Sequence, residues 1–182
     1  MSFDITERSD HFVEAAITGS GSEILSSDIF KKAQTETHHT RSTLSDHTLN
    51  VCILSLKLSR LLQKCHISVN DDDLVKAALC HDLGMVGREE KYDGRLDSWR
   101  SHSARSVEIA RELIPDLSEN SASMIRSHMW PLCGLSLDSK EAVILTAADK
   151  AASVADWVTV LMGRSYKQAL KEGLMDDQSA GL

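Results

Sequence analysis

The chain has 182 residues, 42% of them hydrophobic and 26% charged, enough for one domain with its own buried core. A net charge of −7 without a basic cluster argues against a surface that grips nucleic-acid phosphates, and no apolar run approaches the roughly 18 residues of a membrane span. With 4% aromatics, two prolines and nine glycines among abundant Leu, Ala, Ser, Lys and Glu, an all-α protein is favoured over a sandwich or barrel.

Residues 1–21 read as a polar lead-in ending in "TGSGS", and their acidic start does not resemble a signal peptide. A single helical domain is expected over 22–175, with 176–182 as a fraying tail. In 45–64, Leu49, Cys52, Ile53, Leu56, Leu58, Leu61 and Leu62 recur mostly at helical spacing, behind Ser45 as N-cap. In 70–83, Asn70 is the expected cap and three aspartates occupy the first turn, where the helix dipole favours anions. Leu74, Ala77, Ala78 and His81 then share a face, and Gly84 suits a helix terminus. The stretch 86–101, with Gly87, Gly94, Trp99 and many charges, reads as a surface loop. A helix over 102–113 follows, ended by Pro115. Ser118 is the expected cap of a helix over 119–129, which stops at Trp130-Pro131. Ser139 opens the longest helix, through Met162, with Ile144, Ala147, Ala148, Ala151 and Ala155 along one side. A short helix is expected over 164–174. Cys52, Cys65, Cys80 and Cys133 form no CxxC pair and read as buried small residues of a reducing, cytoplasmic compartment.

Six polar residues fall where these helices should be apolar or should end. His47 lies in the first turn of one helix, His81 and Asp82 close the next, His102 begins another, His128 ends the one after, and Asp149 interrupts the apolar "LTAADKAAS". A buried carboxylate without a partner is costly, so Asp149 should be paired or bound to a cation. One histidine at a helix end is ordinarily a surface or capping residue; the set of six is what points to metal. Imidazole suits iron, zinc, copper and nickel, and the carboxylates extend the range to manganese and magnesium. Adjacent helical residues diverge by about 100°, so His81 and Asp82 converge only at a helix end or if Asp82 bridges two ions. His11 and His66 read as surface, while His38 and His39 in "ETHHTRS" are close enough in sequence to reach the same cleft.

The order His47, His81-Asp82, Asp149, with the strings "DHTLNV", "AALCHDLG" and "LTAADKAAS", resembles the HD superfamily of metal-dependent phosphohydrolases over roughly 38–155. The resemblance implies an HD-domain helical bundle in which His47, His81, Asp82 and Asp149 hold one metal. His102 and His128 are similar to the extra histidines of dinuclear members, including phosphodiesterases and dinucleoside-tetraphosphate hydrolases, and imply a second metal bridged by Asp82. The string "IRSHMWPL" is similar to a group of uncharacterised bacterial HD proteins. The implied cofactor is one or two divalent transition-metal ions, iron or manganese foremost, with zinc, nickel, cobalt or magnesium as alternatives. Two departures stand out: Met85 occupies a position that is lysine in many phosphodiesterase members, and the Gly-Tyr-Pro element of the cyclic-di-GMP-degrading branch is absent.

The resemblance thus implies hydrolysis of a phosphate ester or anhydride in a small substrate such as a nucleotide, with no nucleic-acid polymer or membrane as partner; a homodimer stays open. Asp82 and His81 are the expected catalytic residues. His39 and Lys150 are the candidates for holding phosphate, with Arg41, Arg88, Arg100 and Arg105 as weaker ones. Two alternatives share the fold: a metal-binding regulatory or sensor module without turnover, and a di-iron oxygenase.

Overall fold

The computed structural model describes residues 5–39, 42–87 and 95–162. Helix α1 (Ile5–Ser26) and the short α2 (Asp28–Ala33) precede an antiparallel pair, β1 (Thr37–His39) and β2 (Ser42–Thr43). Then come α3 (Leu44–Lys64), α4 (Asp71–Cys80), a single 3-10 turn (Leu83–Met85), α5 (Arg95–Leu113), α6 (Glu119–Ser127) and α7 (Lys140–Met162). The helical architecture expected from composition is the one observed.

Local signals set most boundaries. Thr43, not Ser45, caps α3: its hydroxyl accepts from the Asp46 amide at 3.1 Å, and the Asp46 carboxylate accepts in return from the Thr43 amide. That reciprocal pair satisfies two otherwise orphaned donors. Asn70 caps α4 by accepting from the Asp73 amide at 3.2 Å, and Ser118 caps α6 by accepting from Ser121 at 3.0 Å. Ser139 accepts from the Ala142 amide at 3.1 Å at the start of α7.

Three further expectations about the helices are corrected. The polar lead-in is helical from Ile5 onward, and α1 buries Val13, Ile17 and Ile24. Gly21 marks a contact and not a turn, because a Cβ there would lie 2.3 Å from Leu79 Cδ1 of α4. Glycine there lets the two helices approach closely. Second, α5 begins at Arg95 inside the expected loop, so His102 lies within a helix and not at its start. Third, Ala147, Ala151 and Ala155 face solvent, and the buried side of α7 is Ile144, Leu145, Ala148, Asp149 and Ala152. Alanines carry little burial energy, so the larger Ile144 and Leu145 fix the helix rotation. The expected helix over 164–174 and the tail over 176–182 lie outside the described residues.

α3 packs between α4 and α7. Its buried stripe is Val51, Cys52, Ser55, Leu56 and Ser59, whereas Leu61 is exposed. Small residues on a helix with neighbours on two sides allow close packing. Phe30, Leu56, Leu74, Leu79, Leu83, Met124, Ile125 and Leu145 are fully buried and form one continuous core. Each such side chain contributes about 1.5–3 kcal/mol of transfer free energy. Of the cysteines only Cys52 and Cys80 are buried, and burial pushes both thiols up to about 12. Cys65 is exposed and Cys133 half-buried, contrary to expectation, since one follows the end of α3 and the other lies in the loop after α6. Among the described residues no helix is long and apolar enough to cross a membrane.

Candidate metal centre

Five helices contribute to one buried cluster. His47 comes from the first turn of α3, His81 from the C-cap of α4, and Asp82 from the step into the 3-10 turn. His102 comes from α5, His128 from the C-cap of α6 and Asp149 from the middle of α7. All six are buried, none more than 6% exposed. Four imidazoles and two carboxylates in a core are stable only if their charges and lone pairs are matched.

Asp82 sits at the centre. Its Oδ2 lies 3.5 Å from His81 Nε2 and 3.9 Å from His47 Nε2, while its Oδ1 lies 3.4 Å from His102 Nε2 and 3.5 Å from His128 Nε2. The two oxygens thus serve two separate histidine pairs. Asp149 joins the first pair, with Oδ1 3.2 Å from His47 Nε2 and 3.9 Å from His81 Nε2. Two trios, His47–His81–Asp82 and Asp82–His102–His128, each bring their ligand atoms within 4.8 Å of one another, close enough to hold an ion.

The histidines are oriented for the same end. His81 Nδ1 lies 2.8 Å from the Ala78 carbonyl and His128 Nδ1 lies 2.7 Å from that of Ile125. A carbonyl only accepts, so Nδ1–H donates in both, and Nε2 is turned into the cluster. His81 Nε2 is buried with no hydrogen-bond partner. Burial pushes the His81 imidazole down to about 4, against the pull of Asp82, so near neutrality Nε2 presents a lone pair. Such an orphaned acceptor among carboxylates fits a bound cation.

The other groups shift in consistent directions. Burial works against charge on His128, but the hydrogen bond and charge of Asp82, aided by Asp149, raise its pKa overall. Burial likewise opposes ionisation of Asp149, yet the His47 hydrogen bond and the nearby His81 hold its carboxyl well below the usual carboxylate range.

The family model described as HD domain matches residues 44–153, more than half of the chain. The chain belongs to the HD-domain family. No curated protein and no solved structure matches it. The HD-domain match covers α3 through most of α7, and all six clustered residues lie within it.

Around the HD-domain cluster, Lys150 Nζ lies 3.0 Å from Asp149 Oδ2 and donates to the His128 carbonyl at 3.2 Å, with its side chain 43% exposed. Met85 is partly buried against the core, so the cation beside the cluster comes from α7. His39 belongs to β1, but its side chain, like those of His38 and Arg100, lies outside the described residues, as do Arg41 and Arg88. Arg105 pairs with Glu108 at 2.6 Å on the exposed side of α5. His11 and His66 are exposed, as expected.

Three features were not anticipated. Gly84 does not end a helix in the left-handed region; it lies in the 3-10 turn, where a Cβ would fall 2.2 Å from the His102 carbonyl oxygen. Ser106, which accepts from the Gly84 amide at 2.9 Å, went unnoticed, although its four-residue offset from His102 places it on the same helix face. The Glu36 carboxylate accepts from the Gly87 amide at 2.8 Å, tying the segment before β1 to the end of the 3-10 turn region.

Proposed function

We propose that the protein is a metal-dependent phosphohydrolase acting on a nucleotide or another small phosphorylated metabolite. The observation that carries this reading is the division of the Asp82 oxygens between two buried histidine pairs. His47, His81, Asp82 and Asp149 would hold one divalent ion, and Asp82, His102 and His128 a second. Bound ions of this kind lower the pKa of water and neutralise phosphoryl oxygens.

The chain's own residues supply the rest. Asp82 and His81 are the residues on which turnover depends most. Lys150 carries positive charge at the partly exposed edge of the cluster, where it serves to bind phosphate; His39 is assigned the same role from β1. Trp130 and Leu132, 45% and 60% exposed, follow His128 by two and four residues. Their exposed apolar surface, close in sequence to His128, suits a substrate with a planar base more than a bare phosphomonoester.

The test is a screen of purified protein against phosphomonoesters, nucleotides and dinucleotides, with manganese, iron, zinc, nickel, cobalt and magnesium supplied in turn. Phosphate or nucleotide release with at least one metal is expected. No release with any metal, alongside retained metal and nucleotide binding, would replace hydrolysis with a binding or sensing role. Met85, placed against the core where it offers no charge to a phosphate, is the observation that favours this second reading.

A further inference from the structure

We propose that Ser106 is a positioning residue that sets the geometry of the second ion site, Asp82–His102–His128; the inference rests on the two-ion reading above. The reasoning starts from Gly84. Two residues after Asp82, its missing side chain lets the 3-10 turn lie directly on the backbone of α5. A Cβ there would meet the His102 carbonyl oxygen at 2.2 Å, and the Ser106 amide and hydroxyl at 2.9 Å. Two of these atoms are backbone and have little freedom to withdraw. The approach leaves the Gly84 amide facing α5 in a buried environment, and the fully buried Ser106 hydroxyl accepts from it at 2.9 Å.

This contact fixes Asp82 relative to one histidine pair and not the other. Ser106 and His102 share a face of α5, one turn apart, so the bond that seats Gly84 also sets how far Asp82 stands from His102. The Met85 amide donates to the Asp82 carbonyl at 2.8 Å and makes the turn a short, stiff link between Gly84 and Asp82. His47 and His81 reach Asp82 through its other oxygen from α3 and α4, without α5. Ser106 therefore bears most directly on the second site, through the spacing of Asp82 from His102. Outer groups that orient ligands typically change metal affinity by about 10–100-fold when removed.

The test titrates metal-free protein with cobalt(II), following heat and the visible absorption of the bound ion. Wild type should take up two equivalents. In Ser106→Ala the first should bind as in wild type and the second about tenfold more weakly or not at all. Gly84→Ala should lose the second equivalent by wedging the turn from α5; circular dichroism of both variants reports whether they fold, and Ser106→Ala carries the test if Gly84→Ala does not. Two wild-type equivalents with both unchanged in Ser106→Ala would overturn the positioning role while leaving the two-ion reading intact. Equal weakening of both equivalents would also overturn it, since that marks a general packing role. Wild-type protein that binds no cobalt, or only one equivalent, would overturn the two-ion reading and the role of Ser106 with it.

Discussion

His102 Nε2 and His128 Nε2 lie 3.1 Å apart, with Asp82 Oδ1 within 3.5 Å of both. Two imidazole nitrogens at that distance are stable only with a proton or a cation between their lone pairs. A carboxylate oxygen beside both fits either. The raised pKa of His128 is the proton form of that solution, and an ion is the other.

Asp82→Ala should remove the group common to both trios. We expect uptake of divalent metal to fall below one equivalent and hydrolysis to drop at least ~100-fold, with far-ultraviolet circular dichroism close to wild type. His81→Ala, which removes the orphaned Nε2, should lose the ion of the first trio and hydrolysis with it while leaving Asp82, His102 and His128 in place. Elemental analysis of the purified variants checks the first outcome. A full metal complement in Asp82→Ala would show that the cluster is not the site.

Lys150→Met separates substrate binding from metal binding. The Lys150–Asp149 pair is partly exposed and adds little to stability. A lost charge-assisted hydrogen bond to phosphate corresponds to ~1.5–3 kcal/mol, so KM should rise about tenfold or more. Metal content should not change. Unchanged KM would remove Lys150 from the phosphate-binding set.

The clustering of the six residues was legible because each is anomalous in its own segment: a charged or imidazole side chain at a helix end or on an apolar face. Asp149 shows the limit of that logic. Its burial was inferred correctly, but the stripe assigned to α7 included Ala147 and Ala151, which are exposed. Alanine tolerates either face, so periodicity of alanines does not fix rotation. The start of α5 at Arg95 was illegible for a related reason, because a polar, charged first turn looks like loop until its packed half is known. Ser106 was missed because a lone serine in a helix carries no signal until Gly84 is seen against it.

Trp130→Ala tests whether the exposed apolar loop recognises a base. Stacking on an aromatic side chain is worth ~1–3 kcal/mol, so KM for a nucleotide should rise about tenfold. A small phosphomonoester without a base should be turned over as by wild type. Equal losses for both substrates would mean that Trp130 supports the His128 segment and does not contact the substrate.

Glu141 gives the fold a pH dependence separate from the cluster. Its side chain, 5% exposed, accepts from the Asn70 amide at 3.0 Å and lies 3.4 Å from Lys140 Nζ. Asn70 in turn caps α4, the helix that delivers His81 from its other end. Burial favours the neutral acid, but the hydrogen bonds from the Asn70 amide and its own amide, with Lys140, outweigh it and lower the pKa. A carboxyl with a depressed folded-state pKa stabilises the native state above its unfolded pKa and loses that contribution as pH falls through the folded value. Glu141→Ala should therefore lower Tm by a few degrees at pH 7, in line with the loss of about 1–2 kcal/mol when a buried amide loses its acceptor. The gap between variant and wild type should be constant well above the ordinary glutamate pKa of about 4.3 and narrow as the solution is acidified below it, where the unfolded chain takes up a proton that the folded carboxyl still resists. Thermal melts of metal-free protein across that range check the sign. A gap that widens on acidification would mean that Glu141 is better accommodated as the neutral acid, with burial outweighing its hydrogen bonds.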